Sequence, residues 1–215
     1  MKYKVVFLKQ YDEIPEEERK ALHMLSRMNN AHLFYSKIIH DAKNRGRNMT
    51  QVFLFAESIT TLSGVIVENI ISICDKLPKL LFNKLDPGIQ IMIKDLHSDL
   101  KGQGKDSFIR NVLTKFRDKI VSHFDKNNYN EIDKELCTHS ENLPFMIIDE
   151  ENSFSYYNLP IGFIKNIQDE AHKKKLIDEP TSEKLTEEIL KLSKELFDIN
   201  STLIGFIVKD KIVWG

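Results

Sequence analysis

Three long stretches of this chain repeat apolar residues at alternating spacings of four and three. An α-helix completes a turn in about 3.6 residues, so that alternation keeps the side chains on one face. From about Pro15 to Lys43 the stripe is Ala21, Leu25, Met28, His32, Tyr35, Ile39 and Ala42. From about Met49 to Asp75 it is Val52, Ala56, Ile59, Ser63, Ile66, Ile70 and Ile73, widened by Phe55, Leu62 and Val67. After Pro180-Thr181-Ser182 it is Leu185, Ile189, Leu192, Leu196, Ile199, Leu203 and Phe206. Helices striped in this way must cover one another's apolar faces. The expected fold is mainly α, an antiparallel helix bundle with the wide-faced second helix at its centre.

The intervening sequence supplies smaller elements. Pro78 and Pro87-Gly88 interrupt the chain around a short apolar piece, Leu80 to Leu85, and Ile89 to Leu100 reads as a third helix. After the linker Lys101-Gly102-Gln103-Gly104-Lys105, Asp106 or Ser107 caps a fourth helix striped by Phe108, Val112, Phe116 and Ile120. A short helix over Asn130 to Cys137 is expected next. Residues 144–157 read as a small β-hairpin insertion, with Phe145 to Ile148 and Phe154 to Tyr157 flanking a turn at Asp149 to Asn152. Ile161 to Lys175 is a further candidate helix, and the ends, Lys4 to Leu8 and Ile212 to Trp214, are strands or tails. One domain over residues 1–215 accommodates all of this.

Composition excludes several function classes. The net charge of −1 gives no global field for nucleic acid, so such a role needs a local patch. Two cysteines, Cys74 and Cys137, make no disulfide framework, and Cys74 reads as a buried free thiol. Met1 to Lys9 is too short for a secretory leader. Val52 to Ile73 is interrupted by Glu57, Glu68 and Asn69, which suits a core helix rather than a membrane span. A cytoplasmic protein without membrane contact is expected. His40-Asp41, His97-Ser98-Asp99 and His139 lack metal-ligand spacing, Gly102-Gln103-Gly104-Lys105 lacks the full phosphate-loop spacing, and no nucleophile elbow occurs. No cofactor or metal is therefore expected.

The chemistry concentrates in Arg117-Asp118-Lys119-Ile120-Val121-Ser122-His123-Phe124-Asp125, at the end of the fourth predicted helix. An arginine, a polar residue, and a histidine six positions on resembles the motif of the HEPN superfamily, in wording closest to its abortive-infection-type branches. The five-residue gap and Asp118, where asparagine is commoner, depart from the usual pattern. The resemblance is confined to this motif and to the helical architecture. It implies an all-helical domain acting as a homodimer, the site lying between two motif helices, and metal-independent cleavage of RNA by a toxin or antiphage component, with an antitoxin as a possible partner. In that scheme His123 takes the 2′-hydroxyl proton, Arg117 stabilises phosphorane charge, and Asp118 orients the site. The product end is a 2′,3′-cyclic phosphate.

The residue types suit that chemistry. Histidine titrates near neutrality, and arginine keeps its charge and offers a forked set of donors to phosphate. Six residues of helix rise roughly 9 Å and rotate about 240°, so Arg117 and His123 do not share a face. Two motif helices across a two-fold axis resolve this. The surrounding stretch supplies the local patch. Lys101, Lys105, Arg110, Lys115, Arg117, Lys119 and Lys126 face only Asp106, Asp118 and Asp125, a net charge of +4. Arg110, Lys115, Lys119 and Lys126 are the expected RNA contacts. Lys43 to Arg47 is a second basic cluster, read as a solvated loop, and Tyr156 and Tyr157 read as hairpin packing.

A second copy of the pattern, Arg27-Met28-Asn29-Asn30-Ala31-His32, falls in the middle of the first helix. There His32 sits on the apolar stripe, so it reads as a packed and hydrogen-bonded core residue. The rival functional class is a non-catalytic helical module that binds RNA, nucleotide or a partner protein.

Overall fold

The computed structural model describes residues 6–8, 11–44, 49–102, 107–114, 146–149, 154–157, 168–169, 171–179, 181–209 and 211–214. The chain is mainly helical. Helix α1 spans Glu16–Asn44 and helix α2 Met49–Ile71. The short α3, Lys79–Phe82, and α4, Pro87–Leu100, follow, and α5 spans Ser182–Val208. Strand β1, Val6–Leu8, pairs antiparallel with β4, Ile212–Trp214, bringing the two described ends of the chain together. Strands β2, Met146–Asp149, and β3, Phe154–Tyr157, form an antiparallel pair with Met146 opposite Tyr157 and Asp149 opposite Phe154.

The helices begin where local chemistry places them. Glu16, Glu17 and Glu18 lie in the first turn of α1, where the helix dipole favours negative charge. The Arg19 guanidinium donates to the carbonyls of Asp12 (3.0 Å) and Ile14 (2.9 Å), holding the turn before the helix against its first residues. Thr181 caps α5 by accepting from Lys184 N at 3.3 Å. Asp86 caps α4 by accepting from Gly88 N at 2.7 Å. The α4 helix starts two residues before the expected Ile89. Proline is at home at a first helical position, where its missing N–H is not needed, so Pro87 begins the helix instead of breaking it.

The apolar stripes become the core. Ala21, Leu25 and Ile39 of α1, Ile59, Leu62, Ile66, Ile70 and Ile73 on and just after α2, and Leu185, Ile189, Leu196 and Leu203 of α5 are buried in one cluster. Ile93 of α4 and Ile109, Val112 and Leu113 complete it. α2 is long and apolar enough to cross a membrane, but most of that surface is spent inside this cluster. Asn29 bonds Ser201 and His32 bonds Ser193, so rising numbers on α1 meet falling numbers on α5 and the two helices are antiparallel. Four residues separate α1 from α2, which requires these packed neighbours to reverse direction. α2 and α5 therefore run in the same direction, a departure from the simple alternating arrangement.

α2 does not end as a regular helix. Its last turn, Ser72–Lys76, widens into a π-helix, and Leu77 then turns extended at φ −73° and ψ 136°. Pro78 disfavours helical backbone in the residue before it, which explains the stop one residue short of the proline. A second π-helical turn spans Ile109–Leu113. Cys74, in the first of these turns, is half-buried rather than fully enclosed, and its thiol lies 3.8 Å from the Ile93 carbonyl. The expected helix over Asn130 to Cys137 lies outside the described residues. Of Ile161 to Lys175, residues 168–169 and 171–173 are helical.

Candidate functional site

Of the residues singled out for chemistry, Arg117, Asp118 and His123 lie outside the described residues, as do Lys115, Lys119 and Lys126. The chain that leads to them is described up to Thr114. Ile109, Val112 and Leu113 anchor it in the core. Asn111 Nδ2 donates to Ser107 O at 3.0 Å, Lys174 Nζ donates to Asn111 Oδ1 at 2.7 Å, and Thr114 Oγ1 donates to Ile109 O at 3.1 Å. Arg110, an expected RNA contact, is exposed and spends one N–H on the Gly102 carbonyl at 3.1 Å. Gly102 has φ +85°, a backbone conformation that favours glycine, and a Cβ there would displace the Arg110 guanidinium, 2.8 Å away at Nη1.

The other arginine–histidine pair is used up by the fold. His32 is 1% exposed and lies between α1, α2 and α5. Asn69 Nδ2 is 2.9 Å from Nε2 and can only donate, so Nε2 accepts. Nδ1 then carries the proton and donates to Ser193 Oγ at 2.8 Å. Desolvation lowers the pKa of His32 to about 4, which keeps the ring neutral around pH 7. Arg27 is exposed on the same helix. A neutral imidazole with both nitrogens engaged is committed to holding the helices together.

A cavity of about 200 Å³ lies where α2, α4 and the chain before Arg117 converge. Ile71, Asp75, His97, Leu100, Lys101 and Thr114 line it. Asp75 belongs to the first π-helical turn and Thr114 ends the second, so both irregular turns meet at one place. Widened helical turns of this kind recur at functional sites because they re-aim side chains. His97 Nε2 is 3.4 Å from Asp75 Oδ1, with the histidine side chain 15% and the aspartate 48% exposed. Lys101, one turn after His97, adds a cation. Cys74 beside them is no nucleophile, because burial and then the Asp75 charge push its thiol up to about 11.

Sequence reading missed this pairing. His97 was weighed only with its neighbours Ser98 and Asp99, while its partner stands 22 positions earlier across two turns and a proline break. No local spacing encodes it. Among the described residues, no three His, Cys, Asp or Glu side chains gather as metal ligands.

A larger cavity of about 440 Å³ runs between α1 and α5. Its walls are mainly apolar, with Leu33 (55% exposed), Leu190 and Phe197, and its floor carries His32 and Ser193. Lys37 and Lys194 stand at its edge.

No protein-family model, curated protein or solved structure matches the chain.

Proposed function

We propose that this chain is a HEPN-like helix bundle with a hairpin insertion at 144–157, acting as a cytoplasmic, homodimeric, metal-independent RNA endonuclease of toxin or antiphage type. His123 is the base that takes the 2′-hydroxyl proton, Arg117 stabilises charge on the phosphorane, and Asp118 orients them. Arg110, Lys115, Lys119 and Lys126 hold the RNA backbone.

One observation carries this reading. Of the two arginine–histidine pairs, the Arg27–His32 pair is committed to the core through Asn69 and Ser193, which leaves Arg117–His123, in the stretch of net charge +4, as the pair available for chemistry. The test is cleavage of labelled single-stranded RNA in EDTA, wild type beside His123→Ala. Removal of a general base costs on the order of 10²–10⁴ in rate. Cutting that ends in a 2′,3′-cyclic phosphate and falls by that factor in the variant supports the assignment; undiminished cutting by pure, dimeric His123→Ala sinks it.

The second reading is a non-catalytic module that binds a partner protein, RNA or nucleotide. The groove between α1 and α5 favours it, because exposed Leu33 and the Phe197 ring offer an apolar docking surface in a described part of the fold. Wild-type protein that cuts no RNA but loses a partner on Leu33→Asp substitution moves the assignment there.

A further inference from the structure

The cavity between α1 and α5 has an apolar body and a basic rim. Leu33, Lys37 and His40 follow one another on α1 at spacings of four and three, and Leu190, Lys194 and Phe197 do so on α5. That spacing puts each trio on one helix face, and both faces line the same space. The two helices are antiparallel, so Leu33 lies toward Phe197 and His40 toward Leu190.

The floor is closed, and its polar groups are already paired. His32 and Ser193 are each 1% exposed. The imidazole donates to Ser193 Oγ at 2.8 Å, and Ser36 Oγ lies 3.4 Å from the same oxygen. An apolar chain can lie over this floor without stranding a donor. The rim differs. Among the described residues no aspartate or glutamate lines the cavity, and Lys37 and Lys194 set the charge at its mouth. Neither lysine has an ion-pair partner among the described residues.

We propose that this cavity binds a free amphiphilic carboxylate, its unbranched hydrocarbon tail between Leu33, Leu190 and Phe197 and its head group between Lys37 and Lys194. The volume of about 440 Å³ falls within the roughly 300–1,000 Å³ of small-molecule sites. From Leu33 to His40 the helix rises roughly 10 Å, which suits a chain of medium length. A third helix, roughly 10–12 Å across with its side chains, would rest on Leu33 and Phe197 and leave the floor uncovered. A single hydrocarbon chain is slender enough to reach it. Tail burial and charge-assisted hydrogen bonds from the ammonium groups supply the two parts of the affinity. None of these residues belongs to the 117–123 motif, so the site is independent of RNA cleavage.

Titration calorimetry with octanoate tests this on the intact chain. Saturable binding of one octanoate per chain is expected; no saturable binding overturns the proposal. Octanol carries the same tail without the charge. Lys37→Met combined with Lys194→Met keeps much of each apolar stem and removes both ammonium groups. That variant is expected to bind octanoate about tenfold more weakly and octanol within about twofold of wild type. Leu33→Ser is expected to weaken both ligands about fivefold. The three substituted side chains are exposed, so both variants are expected to fold, with unchanged circular dichroism as the check. Octanoate binding that survives both variants puts the ligand elsewhere and overturns the proposal. Equal loss of octanoate and octanol in the lysine variant also overturns it, because the carboxylate then has no part in recognition. A chain that binds neither ligand but loses a partner protein on Leu33→Asp substitution gives the cavity to that partner instead.

Discussion

Two histidines in two regions of this molecule meet opposite fates. His32 sits in the seam between α1, α2 and α5, 1% exposed, with both ring nitrogens taken by Ser193 and Asn69. His97 sits at the end of α4 on the wall of an open cavity, beside the Asp75 carboxylate. The first ring is held neutral and serves the fold. The second stands at a cavity wall, 15% exposed, against the Asp75 carboxylate. The same side chain is locked into a core or left at a cavity wall according to its exposure and the partners around it.

The seam is also polar in a costly way. Asn29 Oδ1, Asn69 Oδ1 and both amide atoms of Asn200 are buried and have no hydrogen-bond partner among the described residues. The corner formed by Leu81, Ile93, Ile109, Val112 and Leu113 is apolar. Ser107 Oγ beside it is the one such atom there among the described residues, whereas the seam gathers four and exchanges stability for specific pairings between helices.

The contrast breaks first at His32. His32→Ala removes a buried ring and strands both Asn69 and Ser193, so a loss of about 2–4 kcal/mol is expected. For a chain of this size that is a fall in Tm of roughly 5–15 °C. A calorimetric scan showing no change would mean that the seam does not hold the helices together.

Acid tests the same residue without cutting it away. The folded pKa of His32 is depressed to about 4 from an ordinary 6.5. The unfolded chain therefore takes up the proton first as pH falls. The full contribution is present above about pH 6.5 and is lost on descending to about 4, a decline of about 3 kcal/mol at most. Urea midpoints of wild type and His32→Gln at pH 7, 5.5 and 4 measure it: the pH dependence belonging to this group is expected to vanish in the variant. Parallel curves would show that His32 titrates alike in both states.

Asn200 sharpens the cost of the seam. Asn200→Leu replaces two orphaned polar atoms by methyl groups on the same branched skeleton and is expected to stabilise by about 1 kcal/mol, read from a shift in urea midpoint at constant m-value. A destabilised variant would mean that the amide has a partner after all. The smallest stability effect belongs to the other histidine. His97→Gln, at a side chain 15% exposed and 3.4 Å from Asp75, is expected to cost no more than about 1 kcal/mol, read from the urea midpoint. Arg27→Ala is expected to leave RNA cleavage unchanged, since its histidine is committed to the core.

Much of the helical frame was readable from residue order. The four-three stripes located α1, α2 and α5 because burial on one face of a helix repeats every 3.6 residues, and that period survives whatever the partner helix is. His32 was legible as a core residue because it fell on such a stripe. The paired strands Met146–Asp149 and Phe154–Tyr157 fall on the apolar runs that the sequence marks. Local signals misled where a residue has two uses: Pro87 reads as a breaker but starts α4, and Cys74 sits in an apolar run yet is half-buried at a widened turn.

The sequence by itself determined that this chain is mainly helical and where its long helices run. Only the tertiary structure decided that His32 is spent on Asn69 and Ser193, and that Asp75 and His97 share a cavity. Periodicity is a property of one helix and can be read along it. A contact between residues 22 or 161 positions apart depends on how separate helices pack, and no local spacing carries that information.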